Sequence, residues 1–206
     1  DKLKLSIKIG IEECLARNNR VLKDVDSIIA SGMITSELGL VEIPHLIAPV
    51  GVEELAKGVV ICKFPDIVDK PLYFIPGVKN RVYEELEISY IDMMRGEEVE
   101  AIGITNLYKD FDKLIYISPG SHTKFVLIEN GKIIRCSTTL TGELLQAISR
   151  ETVLANSIPD DLITEINKEY IKKGIESAKK YGFSKTCFLV RIMDLFTQAN
   201  GNELAN

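Results

Sequence analysis

The sequence predicts an α/β protein built from two units. Three observations carry this reading. Short apolar strand patterns in the first half run into glycine turns. The pattern restarts at Lys113 with three strand-like segments joined by turns. Beyond Pro159 the apolar residues recur with helical spacing. A chain of 206 residues fits one large domain or two small lobes. The restart places the boundary between units at 112/113, giving residues 1–112 and 113–206.

Leu3 to Leu15 fits both periods: Leu3, Leu5, Ile7, Ile9 and Ile11 alternate, while Ile7, Ile11, Cys14 and Leu15 share a helical face. The helix is preferred, closed by the polar pair Asn18-Asn19. Val25 to Ala30 reads as a buried strand feeding the turn Ser31-Gly32-Met33. Gly39, Pro44 and Pro49 punctuate the loop that follows, and Gly51 to Val60 holds a short helix. Leu72 to Ile75 is a second strand, stopped by Pro76-Gly77, and Val99 to Leu107 is a helix. In the second half, Leu114–Ser118, Phe125–Glu129 and Lys132–Thr139 read as adjacent antiparallel strands. Asn130-Gly131 supplies the hairpin, because a type I′ turn needs positive φ at both central residues. Thr141 is the expected N-cap of the next helix. Tyr170 to Ala178 and Phe183 to Thr197 complete the helical portion, with Gly182 as a C-cap, before a polar tail from Gln198 to Asn206.

The composition narrows the function. A hydrophobic fraction of 46% and a charged fraction of 27% are ordinary for a globular protein. No apolar run approaches the roughly 20 residues of a membrane span. A net charge of −5 disfavours a nucleic-acid surface, which needs clustered cations. Cys14, Cys62, Cys136 and Cys187 are far apart and form no CxxC pair, so they read as core thiols of a cytoplasmic protein and no metal-ligating set is assigned. The two histidines, His45 and His122, lack a nucleophile-elbow context, and His45 is given no chemical role.

Four segments could carry chemistry. Pro119 to Lys124 (PGSHTK) sits between two strands, where backbone N–H groups, two hydroxyls and a lysine can cradle a phosphate. It is not a GxxxxGK[ST] loop; hairpin phosphate loops belong to actin-like kinases and ATPases. An ordinary turn has the same composition. Asp92 to Glu98 (DMMRGEE) crowds acids around an arginine at a helix start, either as a cap cluster or as a general base beside a substrate-orienting charge. Ser31 to Gly39 (SGMITSELG) leaves a strand on the edge where open α/β sheets bind ligands, or is a plain loop exit. Thr138 to Glu143 (TTLTGE) lies at a strand-to-helix junction suited to an anion or to a simple cap.

In this order and at these intervals, the SGM, MRGEE, PGSHTKF and TGEL segments resemble the 2-dehydro-3-deoxygalactonokinases, over about Val25 to Phe196. The resemblance implies an actin-like, ribonuclease-H-like fold of two α/β lobes around a cleft, here incomplete. It also implies ATP-dependent phosphorylation of 2-dehydro-3-deoxy-D-galactonate to its 6-phosphate in the cytoplasm, with ATP and Mg²⁺ as cofactors. Neither nucleic acid nor membrane is an expected partner, and a homodimer is left open. Glu97 is the favoured catalytic base, with Asp92 and Glu98 as rivals. Gly32, Met33, Ser36 and Arg95 are the expected substrate contacts, the arginine pairing with the sugar-acid carboxylate. Gly120, Ser121, His122, Thr123 and Lys124, with Thr141 and Gly142, are the expected phosphate contacts. Ser121 and Phe125 stand where the family usually has Thr and Trp, and Leu40 where a tryptophan is common. The family's opening DxGTTN motif is not found, so the chain reads as a fragment, expected to be inactive alone. A sugar-acid-binding module and a phosphohydrolase on the same fold are the alternative readings.

Overall fold

The computed structural model describes residues 2–82, 88–159 and 163–206. Two compact units divide the chain, Asp1–Thr139 and Leu140–Asn206.

In the first unit, helix α1 (Lys2–Arg17) ends at Asn19, whose φ of 51° turns the chain out of the helix. Asn tolerates this left-handed conformation better than most side chains. The helix buries no residue fully, but Ile7 and Ile11 lean on a core of Ile43, Ile67, Val68, Leu72 and Phe74. That core backs a three-stranded sheet. In it β1 (Ile28–Ala30) runs parallel to β4 (Pro71–Phe74), and β3 (Val60–Lys63) pairs with β4 antiparallel. Phe74 is fully buried, and a phenylalanine so placed stabilises by about 1.5–3 kcal/mol through apolar burial.

A second small sheet joins β2 (Leu46–Ile47) parallel to β5 (Val78–Lys79), and β5 antiparallel to β6 (Met93–Met94). Between these, α2 (Val52–Gly58) follows β2 and α3 (Glu97–Leu107) follows β6. The third sheet is the meander of β7 (Lys113–Ser118), β8 (Thr123–Glu129) and β9 (Lys132–Thr139), antiparallel throughout as expected. Asn130 and Gly131 both take positive φ, 49° and 71°, as the hairpin requires.

The meander does not begin a new compact unit. Its inner residues Val126, Ile128, Ile133 and Cys136 share one core with Ala48, Val50, Val78, Met94 and Ala101. Val50 and Ile133 also exchange both backbone hydrogen bonds, at 3.0 and 2.8 Å. The compact units therefore divide at 139/140, whereas the sequence pattern restarts at 112/113.

In the second unit α4 (Thr141–Glu151) is capped by Leu140 without a side-chain bond, so Thr141 is its first helical residue and not its cap. The chain just after Pro159, read as helical, lies partly outside the described residues. Asn167 caps α5 (Lys168–Tyr181), its side chain accepting from the N–H groups of Glu169 and Tyr170. Gly182, at φ 80°, ends α5 and opens α6 (Phe183–Phe196). The expected polar tail contains a short helix, α7 (Gly201–Ala205), under an Asn200–Glu203 capping box. The four cysteines are unpaired, but only Cys136 is buried, and Cys14 is exposed on α1.

Candidate functional site

Three of the four sequence segments meet within the first unit. A cleft of about 570 Å³ is lined by Met33 and Ser36, by Arg95 and Glu97, and by His122 and Lys124. Glu37, Leu38, Glu42, His45 and Met93 complete most of its wall.

The glycines explain how the loops approach. Gly32 and Gly96 have φ of 86° and 120°, and a Cβ on Gly96 would lie 3.3 Å from the Cα of Gly32. Backbone passes backbone there, and positive φ adds a second reason for glycine. Gly96 then opens α3, whose first turn carries Glu97, Glu98 and Glu100, favoured by the helix dipole.

The acids divide sharply. Glu98 is fully buried, and both its carboxylate oxygens accept from the Gly96 N–H, at 2.9 and 2.7 Å. Burial pushes its pKa up, against the pull of those hydrogen bonds. Asp92 does not line the cleft. It accepts from the N–H and hydroxyl of Thr138 at 2.6 and 2.7 Å, tying β6 to β9. Glu97 alone of the three faces the cleft, with one carboxylate oxygen accepting from the Arg95 N–H at 3.1 Å.

Arg95 is engaged by its own chain. Nη1 donates to the carbonyl and hydroxyl oxygens of buried Thr35, at 2.5 and 2.6 Å. Nη2 donates to the Ile43 carbonyl at 3.0 Å and lies 3.1 Å from His45 Nδ1. Four bonds to residues 35–45 make the guanidinium a staple for that loop. Lys124 is similarly held: its Nζ donates to the Met93 carbonyl at 2.6 Å and to Thr138 Oγ1 at 2.8 Å.

Of the other expected phosphate contacts, Gly120, Ser121 and His122 are exposed at the turn, while Thr123 is buried in β8. Thr141 and Gly142 belong to the second unit, at the start of α4. Among the described residues no three His, Cys, Asp or Glu side chains are grouped to hold a metal ion. Sequence reasoning passed over Thr35 and His45. Thr35 sits in the SGMITSELG segment, where its hydroxyl was visible but its burial was not; His45 gave no signal, because its partner is fifty residues away.

The family model described as 2-keto-3-deoxy-galactonokinase matches residues 8–206. The chain belongs to this family. Two curated relatives of this galactonokinase-family chain are similar to it over its larger part. A Rhizobium meliloti (strain 1021) protein named probable 2-dehydro-3-deoxygalactonokinase DgoK1 is 29% identical over 133 residues, 65% of this chain and 40% of that protein. The 2-dehydro-3-deoxygalactonokinase of Escherichia coli (strain K12) is 26% identical over 135 residues, 64% of this chain and 40% of the relative. The match thus spans well under half the length of either. A crystal structure from Sinorhizobium meliloti, described as a 2-dehydro-3-deoxygalactonokinase protein, shares the fold with a TM-score of 0.77. It covers 96% of this chain and 62% of the other at 21% identity. No described helix is long and apolar enough to cross a membrane.

Proposed function

We propose that this chain forms the sugar-acid side of a cytoplasmic kinase of actin-like, two-lobed fold. The enzyme would transfer the γ-phosphoryl group of ATP to the 6-hydroxyl of 2-dehydro-3-deoxy-D-galactonate. The observation that supports it is the meeting of Met33 and Ser36, Arg95 and Glu97, and His122 and Lys124 around one cleft in a member of this family.

In this reading Glu97 is the general base. The O6–H bond breaks, its proton passes to the Glu97 carboxylate, the new O–P bond forms, and ADP leaves. Glu97 suits the role by position, since Glu98 is spent on the Gly96 N–H and Asp92 on Thr138. Arg95 acts by positioning: with Nη1 and Nη2 held by residues 35–45, it shapes the wall and does not clamp the substrate carboxylate. Gly32, Met33 and Ser36 form the acid-binding wall. The turn at Gly120, Ser121 and His122, with Thr123 and Lys124 behind it, faces the phosphates. In phosphoryl transfer a bound Mg²⁺ neutralises phosphate charge. The remaining work is orientation and exclusion of water.

The test is ATP-dependent phosphorylation of the keto-deoxy acid by the full-length protein, followed as ADP release. Glu97→Gln should lower kcat by roughly 10²–10⁴-fold with little change in KM. Near-normal kcat in Glu97→Gln, with loss in Asp92→Asn or Glu98→Gln, would overturn the assignment of the base. Calorimetry that registers the acid but never ATP would favour a binding module instead.

A further inference from the structure

His45 is the one described residue with a buried side-chain polar atom, Nε2, that lacks a hydrogen-bond partner. Its other ring nitrogen, Nδ1, lies 3.1 Å from Arg95 Nη2. A guanidinium can only donate, so Nδ1 must accept, and the ring proton must sit on Nε2. The ring is wedged in place: a Cβ on Gly77 would lie 2.7 Å from its Cδ2 and 3.0 Å from its Nε2. Arg95, in turn, joins Thr35 and Ile43 and so pins the loop that walls the cleft.

We infer that His45 is the positioning residue of that wall: its neutral ring, accepting from Arg95, keeps the guanidinium on residues 35–43, and protonation of the ring releases it. Protonated Nδ1 would set a donor against a donor and a cation against a cation. The charged groups acting on the ring make this costly. Arg95 follows β6, Lys79 lies on β5 and Lys124 on β8, and all three are cationic. Glu42 and Glu97 line the same cleft but neither bonds the ring. Burial first, and then these cations, hold the His45 pKa below its ordinary value. A depressed histidine pKa contributes stability that is complete above the unfolded value of 6.5 and is lost as pH falls through the folded one. The wall should therefore be set at neutral pH and loosen in acid, as the ring takes up its proton. This inference stands on the ring and its partners and does not require the kinase reading.

The experiment is NMR on the chain itself, whose two histidines, His45 and His122, give only two imidazoles to assign. Long-range ¹H–¹⁵N spectra at neutral pH should show His45 protonated on Nε2 alone. The amides of Leu40 and Ile43, bonded to the carbonyls of Ile34 and Thr35, report the wall. Their exchange protection should fall about tenfold as the ring protonates, the worth of one hydrogen bond. His45→Asn places an oxygen near the position of Nδ1 and cannot titrate, so protection should persist where the native ring protonates. His45→Phe fills the space without an acceptor, so protection should be low at every pH. An Nδ1–H tautomer in the native chain, or the same acid loss in His45→Asn, would overturn the inference. The tautomer measurement needs no variant, so misfolding of His45→Phe cannot shelter it.

Discussion

The β7–β9 meander and the loop from Gly32 to His45 both reach the cleft, yet they are held in opposite ways. The meander is a continuous ladder between neighbouring strands, closed by a hairpin whose two central residues take the positive φ it needs. One of its faces carries Val126, Ile128, Ile133 and Cys136 into a core. The loop has only local turns of its own, such as Thr35 N–H to the Gly32 carbonyl and Leu40 N–H to the Ile34 carbonyl. Ile43 anchors it in the core of the first sheet, and its polar attachment across the cleft is one side chain, Arg95, sixty residues from Thr35. A ladder spreads its stability over many bonds, so no single polar group decides it. A staple concentrates stability in one group, and a change at that group is felt by the whole loop.

The largest effect should come from the shared core. Ile128→Ala should cost about 2–5 kcal/mol, read as a lower urea midpoint, because Ile128 is 1% exposed and the neighbours can close the cavity only partly. Next, Arg95→Ala should cost about 3 kcal/mol, since it strips a charged donor from the Thr35 and Ile43 oxygens. The distinguishing result is where the loss appears: amides of residues 33–43 should lose exchange protection while the meander keeps its own. Equal loss in both regions would break the contrast.

A third test uses the joint between the meander and the strand that precedes the cleft. Asn80 is buried and bridges three backbone groups. Its Nδ2 donates to the carbonyls of Tyr90 and Cys136, each at 2.9 Å, and its Oδ1 accepts from the Cys136 N–H at 2.8 Å. Asn80→Ala should cost about 2 kcal/mol and, unlike Arg95→Ala, should lower protection in β9. Gly131→Ala should cost about 1 kcal/mol, the price of a Cβ at φ 71° with open space around it. The smallest effect is electrostatic. The Lys132 ammonium first, and then the Gly51 N–H, hold the exposed Glu54 carboxyl down at about 2. What this pair contributes is present above 4.5 and fades as pH falls toward about 2. A Lys132→Met variant should therefore match the parent in acid and fall slightly below it at neutral pH.

The same contrast explains what the sequence disclosed. Asn130-Gly131 and the alternation of Leu114–Ser118 are local signals, and the meander was legible from them. The helices over residues 97–107 and 183–196 were legible from pattern, whereas that over residues 2–17 fits both periods and was preferred with Asn18-Asn19 as its close. The strand Val60–Lys63 was not read: the helix segment took in Val60, and Ile61 to Lys63 were left unassigned, because a short apolar run has no period of its own. The two-residue strands β2, β5 and β6 are set by pairing with distant partners and leave no local trace. In the site, segment composition marked Glu97, Arg95 and Lys124. It could not separate Glu97 from Glu98, since adjacent helical residues point about 100° apart and only packing decides which is buried. Nor could it reveal that Arg95 faces its own chain, because Thr35, Ile43 and His45 are brought to it by the fold.

The paired glycines of the cleft carry a consequence for anyone exchanging parts between relatives. Gly32 and Gly96 face each other across one gap, where a Cβ on Gly96 would press within 3.3 Å of the Gly32 Cα and both backbones take positive φ. The loop after β1 and the turn that opens α3 are therefore a single inheritable module written in two places. A transplanted loop will seat only where its counterpart turn travels with it, and a chimera divided between them should lose the cleft while keeping every strand.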